Sequence, residues 1–282
     1  MAKIKFTKMH GIGNDYIYIN CFEQAVENPN ELARKMSPRR FSVGGDGVIL
    51  ICPSDVADAK MRMFNLDGSE GKMCGNGVRC VGKYIYDNDI AHKDVVTVET
   101  LSGIKTLAIK DEGGKAKTIT VDMGTPRFSP SEIPVLLNGN DEIVDRSIDV
   151  SDQEYSITAV SMGNPHAVVF CDDIDSLNLA KIGPDFEHHA IFPEQVNTEF
   201  IRVIDKNHLQ MRVWERGSGE TLACGTGACA AVVAAVKNGY CKQGDEVTVS
   251  LLGGDLHITY CLDGRVLMRG GAETVFDGEY EF

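Results

Sequence analysis

Met73-Cys74-Gly75-Asn76-Gly77-Val78-Arg79 and Ala223-Cys224-Gly225-Thr226-Gly227-Ala228-Cys229 decide how this chain is read. Each places one cysteine directly before a Gly-x-Gly turn, and each turn runs into a helical pattern. Cys74 and Cys224 lie 150 positions apart, and that offset recurs. Gly13-Asn14 falls on Gly163-Asn164, Ile51 on Ile201, and Met61-Arg62-Met63-Phe64-Asn65 on Met211-Arg212-Val213-Trp214-Glu215. Further on the offset becomes 151, where Val96-Thr97-Val98 meets Val247-Thr248-Val249 and Gly103 meets Gly254. A register held with one single-residue slip reads as one half-molecule used twice, rather than as two unrelated halves of similar composition. The predicted halves are residues 1–124 and 125–270, joined through the Pro- and Ser-rich stretch from Gly124 to Pro134.

The pattern of elements repeats with the residues. Strands are predicted over Lys3–Thr7 and Tyr16–Asn20, around the polar turn His10–Asp15, with a short helix over Asn30–Met36. The strands Val48–Ile51 and Lys60–Asn65 follow, then Cys74 and a helix to Asp87, a hairpin of Val95–Thr100 with Ile104–Lys110, and Thr118–Met123. The second half repeats this with strands Ile157–Ser161, Ala167–Cys171, Thr198–Ile204 and Leu209–Trp214, and helices Leu177–Ile182 and Ala228–Lys237. The hairpin Val247–Leu252 with Leu256–Leu262 and the strand Val266–Arg269 close it; Glu273–Tyr280 could return as an edge strand to either half, so that 271–282 would complete the first. The stretch Ala228–Val236 is apolar all round, which requires burial on every side. The predicted fold is therefore α+β: two pseudo-symmetric domains, each a curved, mostly antiparallel sheet or barrel around a central helix. The two helix starts are expected to point into the cleft between the halves.

Composition narrows the function. With 43% hydrophobic and 24% charged residues in 282, the chain reads as a soluble globular protein with material for two cores. A net charge of −13 argues against nucleic-acid or anionic-membrane partners, which need clustered Lys and Arg. The N-terminal Met1–Lys8 is basic but lacks an apolar run of signal-peptide length, and no segment approaches a membrane span, so a cytoplasmic protein is expected. Nine cysteines, an odd number, argue against a disulfide framework. Cys74/Cys80 and Cys224/Cys229 are too widely spaced for a zinc site and have no neighbouring histidine, so no metal is expected. The remaining cysteines read as small buried hydrophobes, Cys80 and Cys229 among them.

A cysteine at a helix N-terminus feels the positive end of the dipole and unpaired N–H groups, which lower its thiol pKa. The glycines that follow let a ligand approach the backbone, and the same N–H groups bind a carboxylate. Two such sites can hold one amino-acid carboxylate between two sulfurs. One thiolate then removes the α-proton from one face, the other thiol returns a proton to the opposite face, and no imine cofactor is needed if fixed dipoles stabilise the carbanion-like transition state. A single Cys-Gly-x-Gly is more often only a tight turn before a helix. A dinucleotide fingerprint is disfavoured, because no third glycine follows at its spacing. Duplication gives the pattern its force.

At these residues the chain resembles the diaminopimelate epimerase family, within the cofactor-independent two-cysteine racemases. The likeness covers essentially the whole chain. It rests on His10-Gly-x-Gly-Asn14-Asp15, Phe64-Asn65-x-Asp67-Gly68-Ser69-Glu70, Cys74-Gly75-Asn76-Gly77-x-Arg79-Cys80, Gly163-Asn164-Pro165-His166, Val196-Asn197-x-Glu199-Phe200, Glu215-Arg216-Gly217 and Thr221-x-Ala223-Cys224-Gly225-Thr226-Gly227. The resemblance implies that Cys74 and Cys224 are the base–acid pair. It implies that Gly75, Asn76, Gly225 and Thr226 hold the reacting carboxylate, and that Asn14, Asn65, Asn164, Asn197, Glu215 and Arg216 recognise the other polar groups of a seven-carbon diamino diacid. Glu215 and His166 would support the catalysis, no cofactor would be used, and the protein would be a homodimer. One departure is Gly47, where some members carry a glutamine.

Plainer readings stand beside these. Asn14 and Asn164 each follow a glycine and could occupy positive-φ turn positions. Asn197 could cap a strand end, Glu215-Arg216 could be a solvated ion pair, and His166 could be a satisfied turn histidine. Rival functions are another epimerase or isomerase of the same superfamily, acting on proline, hydroxyproline or in phenazine formation; a non-catalytic binder of carboxylate ligands; and a redox protein using a Cys74–Cys224 disulfide.

Overall fold

The structure is a computed structural model that describes residues 3–137 and 142–281. It divides into two compact units: Met1–Val121 with Arg269–Phe282, and Asp122–Met268. Sequence order in the first runs β1 (Lys3–Gly11), β2 (Asn14–Asn20), α1 (Pro29–Met36), β3 (Gly47–Cys52), β4 (Ala59–Asn65), β5 (Glu70–Gly71), α2 (Gly75–Asp87), β6 (Val95–Thr100), β7 (Gly103–Glu112) and β8 (Lys115–Asp122). The second runs β9 (Arg146–Val150), β10 (Gln153–Ser161), β11 (Pro165–Phe170), α3 (Leu179–Glu187), β12 (Asn197–Asp205), β13 (His208–Glu215), β14 (Gly219–Glu220), α4 (Gly225–Lys237), β15 (Glu246–Leu251), β16 (Gly254–Tyr260) and most of β17 (Val266–Gly270), whose last two residues fall in the first unit. The last strand, β18 (Glu273–Glu281), pairs antiparallel with β1 and so belongs to the first unit.

Pairing is the same in both units. β1–β2, β3–β4 and β6–β7 are antiparallel, while β2–β3 and β4–β6 are parallel. In the second unit β10–β11, β12–β13 and β15–β16 are antiparallel, and β11–β12 and β13–β15 parallel. β9 flanks β10 as β18 flanks β1, although β9 precedes its partner in the chain and β18 comes last. The sheets are thus mixed, α+β in class, with the antiparallel pairs in the majority.

The central strands are buried on both faces, and alternation assigns each face. In β3, Val48 and Leu50 join the core under α1 with Ile17, Ile19, Leu32 and Met36. Ile49 points the other way, close enough to α2 that a Cβ on Gly77 would lie 2.7 Å from its Cδ1. In β12, Phe200 packs with Phe186 of α3, and Glu199 faces α4, where a Cβ on Gly227 would meet its Oε1 at 2.6 Å. α2 and α4, 13 residues each, are the helices wrapped by the strands of their own unit. Buried residues run along α4 from Gly225 to Ala235 on every side, with Thr226 the exception.

The structure corrects several predicted boundaries. The His10–Asp15 turn shrinks to Ile12-Gly13, because β1 and β2 stay paired as far as Gly11↔Asn14. Both turn residues have positive φ, 48° and 85°, the geometry of a tight hairpin that follows the sheet twist. Helix α3 starts later than predicted and continues past Gly183-Pro184 to Glu187. Pro184 lies in its second turn, and the Gly-Pro pair resembles a stop signal that tertiary packing overrides. Gly183 lies so close to the Trp214 indole that a Cβ there would be 2.2 Å from the ring. The short strands β5, β9 and β14 have no counterpart in the sequence reading, being too short or too polar to show a period.

Candidate active site

In the first unit Cys74 is the N-cap of α2. Its extended backbone leads into Gly75 at the first helical position, and its Sγ accepts the Gly77 N–H at 3.3 Å. The thiol donates to Asn14 Oδ1 at 3.2 Å. The orientation of the Asn14 amide is set from its other end, where Nδ2 donates to Asp46 Oδ2 at 2.7 Å. Asp46 is held by Arg39, which also forks onto Asp15 at 3.0 and 2.6 Å. Lys8 closes the cluster through Asp15 and the Gly44 carbonyl. Burial would raise the Asp15 pKa, but Arg39 and Lys8 outweigh it and hold the carboxyl below its usual value.

Beneath the helix start, Arg79 is completely buried. It donates to Asn76 Oδ1, the Gly75 carbonyl and the Gly271 carbonyl at 3.0, 3.3 and 3.2 Å. These bonds tie the first turn of α2 to the segment entering β18. Asn76 is itself buried, with its side-chain oxygen turned to Arg79. Asn65 is further out, its Nδ2 donating to Ser69 Oγ at 3.0 Å. Gly47 sits against the next strand: a Cβ there would lie 2.1 Å from the Phe64 carbonyl oxygen, so this backbone has no room for the glutamine of some family members.

In the second unit Cys224 is the N-cap of α4, with no capping hydrogen bond from its side chain. A network of polar side chains surrounds it. Asn164 Nδ2 donates to Thr226 Oγ1 at 3.3 Å, and Thr226 Oγ1 lies 3.7 Å from Cys224 Sγ. Asn164 Oδ1 lies 3.1 Å from His166 Nε2, and His166 Nδ1 lies 2.7 Å from Glu199 Oε1. His166 and Glu199 are both fully buried. From β13, Glu215 accepts the Thr221 hydroxyl at 2.5 Å and also hydrogen-bonds with the Cys224 thiol. Burial pushes the Glu215 carboxyl up, against those two bonds.

The thiol of Cys224 departs from the sequence expectation. A helix N-terminus alone would lower its pKa. Instead burial, then the Glu215 and Glu199 carboxylates, push it well above the usual thiol value, and the Gly227 N–H and Thr226 hydroxyl only partly offset them. Without solvent, the helix end is too weak a field to win.

The plainer sequence readings can now be decided. Neither Asn14 nor Asn164 has positive φ; Ile12, Gly13 and Gly163 take those conformations and leave both amides to reach their sulfur-bearing helices. His166 lies within β11, paired with Val160 and Asn197, not in a turn. Asn197 opens β12 as a clamp: its Nδ2 donates to the Pro165 carbonyl at 2.9 Å and its Oδ1 accepts the Arg216 N–H at 3.0 Å. Glu215 and Arg216 form no mutual ion pair; the Arg216 guanidinium donates to the Glu194 carbonyl at 2.7 Å. Asn14 with Cys74 and Asn164, His166, Thr226 and Glu215 with Cys224 are therefore brought together, whereas the Asn65 amide is turned to Ser69. Asp46, Thr221 and the buried roles of Arg79 and Glu199 escaped the sequence reading. The repeat held a clue to Glu199, which occupies the position of Ile49, a carboxylate where the first half has an alkyl chain.

Among the described residues, no group of three or more His, Cys, Asp or Glu side chains could hold a metal ion. No helix among them is long and apolar enough to cross a membrane.

A profile of the family described as diaminopimelate epimerase matches residues 6–129 and 158–275. The chain belongs to the diaminopimelate epimerase family. A relative named diaminopimelate epimerase from Desulfovibrio desulfuricans is 57% identical, over 98% of each chain. One of the same name from Acetivibrio thermocellus is 54% identical over 99% of each. A crystal structure described as a probable proline racemase from Agrobacterium radiobacter has a TM-score of 0.72 at 16% identity, covering 99% of this chain and 92% of that one. That likeness is one of fold.

Proposed function

We propose that this chain interconverts LL- and meso-2,6-diaminopimelate, with Cys74 and Cys224 as the acid–base pair. The observation that carries the reading is the repeated half-site: each unit caps its central helix with a cysteine and turns an asparagine, Asn14 or Asn164, toward that helix start. Family membership and relatives of that name at more than half identity support the substrate. In each direction one sulfur, as thiolate, takes the α-proton while the other, as thiol, delivers a proton to the opposite face; configuration inverts and the roles exchange. The helix-start N–H groups at Gly75-Asn76 and Gly225-Thr226 bind the reacting carboxylate and stabilise charge as it develops. Arg216 and Glu215 suit the distal carboxylate and ammonium, and Asn65 and Asn197 suit further polar groups of the substrate. The chemistry needs no pyridoxal phosphate. Such a reaction belongs to the formation of lysine and of peptidoglycan precursors in the cytoplasm, and we infer a homodimer, which sedimentation of the purified protein would test.

Proton NMR of LL-diaminopimelate in D2O with reduced protein and no added cofactor tests the reading. Formation of the meso isomer with deuterium at one α-carbon is expected. No exchange there, with exchange at the α-carbon of proline, would keep the two-thiol chemistry and discard the diacid.

A further inference from the structure

The two half-sites differ where the repeat should make them alike. Beneath Cys74 the repeat positions hold Tyr16 and Ile49; beneath Cys224 they hold His166 and Glu199. The pair is sealed from solvent, its Nδ1···Oε1 distance is 2.7 Å, and Glu199 Oε2 has no hydrogen-bond partner among the described residues. A buried carboxylate satisfied at one oxygen is costly unless its partner carries the opposite charge. The short contact is that of a charge-assisted bond. The other ring nitrogen faces an acceptor, Asn164 Oδ1 at 3.1 Å, with Asn164 Nδ2 engaged on Thr226. Both ring nitrogens therefore face side-chain oxygens.

We propose that Glu199 is a positioning residue: it holds His166 as an imidazolium and so orients a one-way hydrogen-bond chain that ends on Cys224. The Nδ1–H of His166 donates to Glu199, its Nε2–H to Asn164 Oδ1, Asn164 Nδ2–H to Thr226 Oγ1, and the Thr226 hydroxyl is left to donate to Sγ. From His166 outward the Nε2–H, the Asn164 amide N–H and the Thr226 hydroxyl each donate toward the sulfur, which stabilises the thiolate that Cys224 must become. The chain works against the other influences on that sulfur: burial, Glu215 on β13 and the direct charge of Glu199 itself disfavour the thiolate, while the Gly227 N–H of α4 favours it. Were His166 neutral with Nδ1–H on Glu199, the Asn164 amide would have to turn over, its Oδ1 would take the Thr226 proton, and Thr226 would face the sulfur as an acceptor only. At Cys74, where Tyr16 and Ile49 take those two places, the sulfur meets the Asn14 oxygen, an acceptor, and the Gly77 N–H.

The assignment rests on Cys224 being an acid–base group of the proposed epimerisation, so the decisive measurement does not use turnover. Nitrogen-15 NMR of histidine-labelled wild-type protein at neutral pH, with the His166 signals identified by their loss in His166→Asn, should show both ring nitrogens protonated. A non-protonated Nε2 overturns the proposal whatever the activity. In Glu199→Gln, kcat should fall by about 10²-fold, the lower end of what a positioned proton transfer supplies. KM should stay within about twofold, because Glu199 is sealed from solvent and cannot touch substrate. Alkylation of Cys224 should slow at a fixed pH while that of Cys74 is unchanged. Loss of kcat with equal slowing at both cysteines, or no change in either, would also overturn it. If wild-type protein shows the doubly protonated ring but fails to epimerise diaminopimelate, the functional reading fails and the His166–Glu199 pair stands.

Discussion

At the scale of single residues, the site is defined by which polar atoms have been given partners before substrate arrives. Asn14 can present its oxygen to Cys74 because Asp46 holds its nitrogen. Arg79 serves the same end from below, with three acceptors in the first turn of α2 and at Gly271. Replacing it by methionine keeps the volume but leaves those acceptors without these donors. We expect Arg79→Met to destabilise the protein by about 3 kcal/mol, as the loss of donors to buried acceptors does, read as a shift in the urea midpoint at unchanged m-value. Arg216 is different, since among the described residues its guanidinium is bound to the Glu194 carbonyl alone and its bulk is partly exposed. Arg216→Ala should raise KM for diaminopimelate by about tenfold or more, the size of one lost charge-assisted bond, with the melting temperature little changed. An unaltered KM would remove Arg216 from substrate recognition.

At the scale of elements, each central helix is set by a strand pressed against its first turn. Gly77 and Gly227 leave no room for a Cβ between helix and strand, against Ile49 in one unit and Glu199 in the other. Gly47 is tighter still, because the clashing atom is the Phe64 backbone oxygen on the antiparallel partner strand. A flexible side chain can swing aside; a ladder carbonyl cannot without breaking the register of β3 and β4. Gly47→Ala should therefore cost about 3 kcal/mol, the top of the usual overpacking range, in a thermal melt. Wild-type stability in that variant would mean that β3 can shift there. Much at this scale was legible in the sequence. Strand alternation, the apolar run of α4 and the Gly-x-Gly starts all report burial of neighbouring residues, which a local period records. The extension of α3 through Pro184 was not legible, because a Gly-Pro pair is a stop signal in isolation and only packing against Trp214 shows otherwise.

At the scale of the whole molecule, the proposed chemistry makes the two halves one catalytic device. Cys74→Ala and Cys224→Ala should each reduce interconversion by at least about 10²-fold. The double variant should be no worse than the more damaged single one, because an acid and a base that act in one step are not additive. Additive losses in isomer-resolved assays would mean two independent sites. Acid stability is a second property of the whole chain. Asp15 is held below its ordinary pKa by Arg39 and Lys8 despite burial. A carboxylate depressed in the folded state contributes stability above its unfolded value, about 3.9. That contribution is lost as pH falls through the folded pKa. Urea midpoints should therefore drop more steeply below about pH 4 in wild type than in Asp15→Asn; parallel curves would show that Asp15 contributes nothing.

By itself the sequence determined the class of fold, the order of elements, the two cysteines at helix starts and the family. The fold class, the order and the helix-start cysteines follow from periods of two and 3.6 residues and from a repeat, and the family from the resemblance of the motifs around those cysteines, all of which a linear string displays. Only the tertiary structure decided which partner each polar side chain takes. The final strand could have joined either half, and it lies on β1. Asn14 meets Asp46 across 32 residues and His166 meets Glu199 across 33, through the parallel crossovers β2–β3 and β11–β12. The register of such a crossover places side chains that no local period relates. Even the sign of the Cys224 shift depended on it, because the helix start was visible in the sequence while the burial and the two carboxylates that overrule it came together only on folding.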